Sequence, residues 1–294
     1  MYLVLAIIVS ILLSACMNRS ENKSKSVEKK EKAPESLVKV SEGLDSLLLS
    51  MDSIEEIAKL TESEFQAMNL SKKESNEKEN QDDSQSDQGN QQQNQNQGQQ
   101  NQGQQNQNQG QRTEKQETRT KDVELFMKWQ EVDKKLEEVH KSWNDYEVEG
   151  MDKGATAKKT DEFKRDLNAL TVAVESRNIN SILDAGSKAF NSLSAFFDLY
   201  KDEIGGDLSR IKYSVHQAFI LAQKGNKEEA KKLLSETQDH TSRVRKGIKE
   251  DKAKDLEKLT LSISDMEKAL DSDSIELLKI KRDIAIDNIK NLQE

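Results

Sequence analysis

The chain has 294 residues, a net charge of −9 and 33% hydrophobic residues against 34% charged ones, with only 4% aromatic. That material is too dilute for one large core but sufficient for amphipathic helices, and the lone proline, Pro34, sits near the front, so no later helix meets the residue that breaks helices most strongly. An all-α fold is expected, and an acidic balance with intermixed signs excludes a basic field for nucleic acid and gives no attraction to anionic headgroups.

In chain order, Tyr2 to Leu13 is apolar apart from Ser10, the length of a signal-peptide core and too short for the ~20 residues that span a bilayer. It closes on Leu13-Ser14-Ala15-Cys16, where small residues precede the only cysteine. This stretch resembles the lipobox of bacterial lipoproteins. The resemblance implies removal of residues 1–15 and acylation of Cys16, which would become the membrane anchor, since two acyl chains hold stably where one is marginal. Signals begin with a positively charged region, whereas only Met1 and Tyr2 precede the apolar run; a start upstream of Met1 would explain the difference. With Cys16 acylated no thiol remains for a disulfide, and stability must come from helix packing.

Residues 16–35 read as a polar tether, rich in Lys, Glu and Ser and without periodicity. In 36–70 the apolar residues Leu37, Val40, Leu44, Leu47, Met51, Ile54 and Ala58, widened by Leu48 and Ile57, return at the steps of three and four that mark one helix face. Such a face either docks on the C-terminal bundle, pairs with a partner or lies on the membrane. The mixed charges flanking it argue against the membrane. Residues 71–120 read as a disordered linker, because Gln88 to Gln111 consists of Gln, Asn and Gly alone and has no apolar surface to offset chain entropy. A flexible run of about 40 residues reaches roughly 35 Å. Self-association through Gln and Asn is the alternative to a plain spacer, weakened by the glycines and the lack of aromatics.

Residues 121–294 read as an antiparallel up-and-down bundle of about six to seven helices. The first, about 122–147, repeats Val123, Phe126, Trp129, Val132, Leu136, Val139, Trp143 and Tyr146, close to a coiled-coil heptad. Gly150 and Gly154 mark the following turn. A second helix carries Phe163, Leu167, Leu170 and Val174. The third carries Ile182, Gly186, Ala189, Leu193, Phe196 and Tyr200, where small residues admit a close neighbour. Gly205-Gly206 would end the third helix and Asp207 cap the fourth, with Leu208, Ile211, Val215, Phe219 and Ala222 on its face. Gly225 followed by Asn226-Lys227-Glu228-Glu229 reads as a stop and a new N-cap, opening a helix with Ala230, Leu233, Thr237, Val244 and Ile248. Leu256, Leu259, Ile263, Met266 and Leu270 define the sixth. Ser272 or Asp273 would cap the seventh, with Ile275, Leu278, Ile286, Ile289 and Leu292.

Catalysis and metal binding both need convergent titratable groups. The three histidines, His140, His216 and His240, fall in no metal-ligand spacing on one helix face, and there is neither a thiol nucleophile nor a phosphate loop. No catalytic residue, metal ligand or cofactor is therefore assigned. The most distinctive pattern is His140-Lys141-Ser142-Trp143-Asn144-Asp145-Tyr146, which sets His140, Trp143 and Tyr146 on successive turns. Together with Phe197 and His216 these residues are the candidate binding patch. The alternative is that Trp143 plugs the core while His140 and Tyr146 bond at its rim. Phe190, Phe196, Phe197, Tyr200 and Phe219 likewise either line a small pocket or fill the core.

The whole layout resembles uncharacterised helical lipoproteins of low-GC Gram-positive bacteria. The shared features are the lipobox, an amphipathic segment, a polar spacer, and a helical domain containing Leu136-x-x-x-His140-x-x-Trp143-Asn144-x-Tyr146 and Leu167-Asn168-x-Leu170-Thr171. The resemblance implies a helical domain anchored at the outer face of the cytoplasmic membrane, and it brings no catalytic residues with it. The expected function is non-catalytic binding of a protein, a cell-envelope or wall component, or a small ligand. A metal or small-molecule domain serving a transporter, or an envelope hydrolase, are the alternatives.

Overall fold

The computed structural model describes residues 32–71, 119–200 and 204–293. The signal-like segment with Cys16, most of the tether and the Gln/Asn-rich stretch of the linker lie outside the described residues.

The segment that opens the described chain is α1 (Glu35–Lys59), followed by a short α2 (62–71). Thr61 and Glu64 begin α2 reciprocally: Glu64 accepts from the Thr61 backbone N–H, and the Thr61 hydroxyl accepts from the Glu64 backbone N–H. The remaining helices are α3 (Lys121–Asp152), α4 (Ala157–Glu175), α5 (Ile179–Phe197), α6 (Gly205–Gln223), α7 (Lys227–Gly247), α8 (Ala253–Ala269) and α9 (Ile275–Gln293). No strand occurs among the described residues. Thr120, Thr156 and Asn178 each accept a backbone N–H three residues on, which satisfies an orphan donor at the starts of α3, α4 and α5.

Several expected boundaries move. Gly205 and Gly206 do not end the third helix of the bundle; they form the first turn of α6, and α5 stops at Phe197. The reason is contact, since a Cβ on Gly205 would lie 2.5 Å from the Phe197 ring. Asp207 is consequently not a cap but lies within α6. Gly150 is likewise inside α3, under the Tyr146 ring, and Gly154 alone makes the turn, with φ of +95°. At α9 the Leu277 N–H is taken by Ser274, not by Ser272 or Asp273.

Neighbouring helices run antiparallel. In the α1–α3 pair, Lys121 reaches the carbonyls of Ala58 and Leu60, Lys135 that of Ser46, and Val139 lies on Gly43. Of the three outcomes open to the 36–70 stripe, docking is the one found. Leu37, Val40, Leu44, Leu47, Leu48, Met51 and Ile54 join α3, α4 and α5 in one core, while Ala58 faces solvent. A Cβ on Gly186 would meet Leu48 at 2.6 Å, so the small residue in α5 admits α1. A second core is made by α6, α7, α8 and α9. The two are joined by α5 against α6. The seam of α3 is buried from Val132 to Tyr146, but its first turns are covered only in part: Leu125 and Trp129 pack against the core while Phe126 is 62% exposed.

Candidate functional site

The predicted row on α3 is divided by the fold. Trp143 and Tyr146 are buried, with the Trp143 ring 4.3 Å from Phe163, 4.9 Å from Phe196 and 5.5 Å from Tyr146. Burial, and then the neighbouring Tyr200 hydroxyl, push the Tyr146 phenol far above its ordinary range. Phe197 belongs to this same core. His140, half-buried, meets the Thr171 hydroxyl at 2.8 Å, and burial lowers its pKa. These rings fill an interior instead of lining an open patch. His216 lies elsewhere, on α6, packed with the second bundle.

The two buried cations among the described residues, Lys212 and Arg282, both act on His216. On α6, Lys212, His216 and Phe219 are spaced four and three apart, one face of a helix. That face looks toward α1, which presents Asp45, Asp52 and Glu56, and toward α9, which presents Lys279, Arg282, Asp283 and Gln293. Lys212, with a fully buried side chain, donates to Asp45 Oδ2 at 2.5 Å and to Gln293 Oε1 at 2.9 Å. Arg282, 1% exposed, donates to Asp52 and to Asp283 at 2.6 Å each. Lys279 reaches Glu56 at 3.1 Å and Asp52 at 3.8 Å. Below the cations lie aromatic faces, with Arg282 4.4 Å from the Phe219 centroid and Lys212 4.9 Å from that of Phe190. Three ion-paired rungs therefore tie α1 of the first bundle to α6 and α9 of the second.

The electrostatics follow from this burial. Burial raises the Asp52 carboxyl above its ordinary value in spite of Arg282 and Lys279. Burial opposes the charge on Arg282, but Asp52 and Asp283 outweigh it and hold the guanidinium more firmly protonated. His216 is enclosed, its Nδ1 has no hydrogen-bond partner, and burial followed by the Arg282 and Lys212 charges pushes it down to about 3. The imidazole is neutral, enclosed within reach of the charges of Arg282 and Lys212.

Sequence reasoning anticipated His216 but not its surroundings. A signal was available: Lys212 interrupts the Leu208, Ile211, Val215 stripe, Arg282 stands between Leu278 and Ile286, and Asp45 follows Leu44 on the α1 stripe. A charge at an apolar position on three separate helices marks groups that must meet, because buried charges require partners.

Beside the Asp45–Lys212 rung, α1 and α9 part to form a cleft of about 360 Å³ lined by Glu42, Asp45, Ser46, Leu49, Lys290 and Gln293. On another part of the surface α4, α5 and α6 enclose a larger groove of about 570 Å³, lined mainly by small residues such as Ala169, Ala173, Ser181 and Ala185. Its one carboxylate, Asp184, is held by Lys188 and Gln217. A third cluster joins Asp207 to His240 Nδ1 and Arg243 Nε, both at 2.8 Å. Among the described residues no three His, Cys, Asp or Glu side chains group as a metal site, and no helix is long and apolar enough to cross a membrane.

No family model matches the chain, and neither a curated protein nor a solved structure matches it.

Proposed function

We propose that this chain is a lipoprotein held by acylated Cys16 at the outer face of a bacterial cytoplasmic membrane, and that its helical domain is a non-catalytic binding module. The anchoring half of the reading is supported by the apolar run that closes on Leu13-Ser14-Ala15-Cys16. The binding half rests on one observation: the open cleft between α1 and α9, flanked by a rung of buried ion pairs. Buried pairs of this kind contribute little net stability against apolar residues of the same size; what they do fix is which groups face each other. A cleft bounded by them has walls of defined charge, and this is what a selective site for a small envelope ligand requires. The same cleft favours the reading of a small-molecule domain serving a transporter over one of a metal carrier.

Two measurements test the proposal. Radiolabelled fatty acid fed to cells should enter the wild-type protein and be absent from Cys16→Ala; equal labelling removes the anchor. A photo-crosslinker at Leu49, on the exposed wall of the cleft, should capture an envelope component that the same group at Leu261, exposed on α8, does not. Equal capture at both positions, or none at Leu49, removes the cleft as the binding site.

A further inference from the structure

We infer that the cleft between α1 and α9 takes a free α-amino acid with an aliphatic side chain. This rests on the small-ligand reading above and gives it a chemistry. The volume of about 360 Å³ lies at the small end of ligand sites, which span about 300–1,000 Å³. The charges on its two walls are opposite in sign. From α1 come the carboxylates of Glu42 and Asp45, and from α9 the Lys290 ammonium and the Gln293 amide. Among the described residues neither Lys290 nor Glu42 forms an ion pair, although the Glu42 charge acts on Lys39 one turn back along α1. Opposite charges line one cleft without neutralising each other, so a ligand that carries both signs can bridge them.

Asp45 gives the orientation. It is 8% exposed; its Oδ2 is taken by Lys212, and its Oδ1 has no donor. A buried acceptor left without a donor is unfavourable, and a ligand ammonium supplies one. On the facing wall, Lys290 and the amide nitrogen of Gln293, which the Lys212 contact does not use, are donors for a carboxylate. Leu49, exposed on the α1 wall of the cleft, offers apolar surface for the side chain. A plain anion would meet two carboxylates, and a plain cation would meet Lys290 beside the buried Lys212; the zwitterion meets complementary charge at both ends.

Calorimetric titration of the purified full-length protein with leucine, N-acetyl-leucine and leucinamide tests this. Leucine should bind, and blocking either end should weaken binding about tenfold, the loss expected for one charge-assisted hydrogen bond. Glu42→Gln should weaken leucine about tenfold and leave N-acetyl-leucine unchanged, while Lys290→Gln should weaken leucine and leave leucinamide unchanged. Neither substitution touches a buried group, and helical circular dichroism confirms that each variant is folded. No heat with leucine, equal heats for the three compounds, or variants that bind like the wild type would overturn the assignment. Leucine binding without acylation of Cys16 would remove the anchor and leave the ligand; acylation without leucine binding would remove the ligand alone.

Discussion

The core formed by α1, α3, α4 and α5 contains Trp143, Tyr146, Phe163, Phe190, Phe196, Phe197 and Tyr200, whereas the core of α6 to α9 has Phe219 as its aromatic side chain and is otherwise aliphatic. Against the second core, on α6 and α9, lie Lys212, Arg282 and His216, all buried. Large rings bury 150–250 Å² apiece, so a few of them close the first core without polar help. The second is closed on one side by the carboxylates of α1, a helix that belongs to the first. The difference separates two jobs: rings hold the first bundle together, and ion pairs set the position of one bundle on the other.

The largest expected effect tests the first half of that contrast. Trp143→Ala removes the ring at the centre of the Phe163, Phe196 and Tyr146 contacts and should destabilise the protein by about 4 kcal/mol, as for other large aromatic truncations, measured by urea denaturation. A loss below about 1 kcal/mol would mean that the row on α3 is not the pillar of this core.

The second half is tested at the Asp45–Lys212 rung. Asp45→Leu leaves a fully buried ammonium with the Gln293 amide oxygen and the Phe190 ring but no counter-charge and should cost about 3 kcal/mol, since stranding one charge is far worse than lacking the pair. Adding Lys212→Met should return stability to within about 1 kcal/mol of the wild type. Recovery of this kind identifies the rung as a device of position. Failure to recover would make it a main source of stability and erase the contrast between the two cores.

How much of this was legible beforehand follows from the same division. The stripes of α4, α6 and α8 could be read off, because Phe163, Leu167, Leu170 and Val174, or Leu256, Leu259, Ile263 and Met266, repeat at helical spacing within one segment. Docking of α1 stayed open, since its stripe gives a face but not the face it meets. The seam was hidden for a related reason. Asp52 and Arg282 are 230 positions apart, and a register between distant helices leaves no periodic trace in either. The candidate patch was half legible: spacing placed Trp143 and Tyr146 together, but could not say whether the row looked inward, and nothing local linked it to His216.

A smaller effect is expected with pH. The folded His216 is pushed down to about 3 from an ordinary value of 6.5. Below 6.5 the unfolded chain takes up a proton that the folded chain refuses. Stability from this group is therefore complete above 6.5 and falls with pH through that window, by up to about 1.4 kcal/mol per unit. Asp52, raised by burial, acts with the opposite sign but is present in wild type and His216→Leu alike. The difference between the two proteins should shift by about 2 kcal/mol from pH 7 to pH 5. A difference that does not change with pH would mean that His216 is open to water, and that the seam above it is loose.

The smallest effect probes α1, which meets both bundles. On its first-bundle side α1 is held by close backbone approach: a Cβ on Gly186 would lie 2.6 Å from Leu48 Cδ2 and 3.2 Å from Leu48 Cγ. Gly186→Ala should gain about 0.5–1 kcal/mol from the lower chain entropy of the unfolded state, and lose about 1–3 kcal/mol as buried Leu48 is forced from its place. The net expectation is a destabilisation of about 1 kcal/mol. Leu48→Ala in the same background separates the two terms, because the clash vanishes with the side chain while the helix gain remains, and the pair should be less destabilising than the sum of the single changes. Strict additivity would mean that α1 does not rest on α5 through this contact. The ion-paired rungs would then hold α1 on both sides, not only against the second bundle.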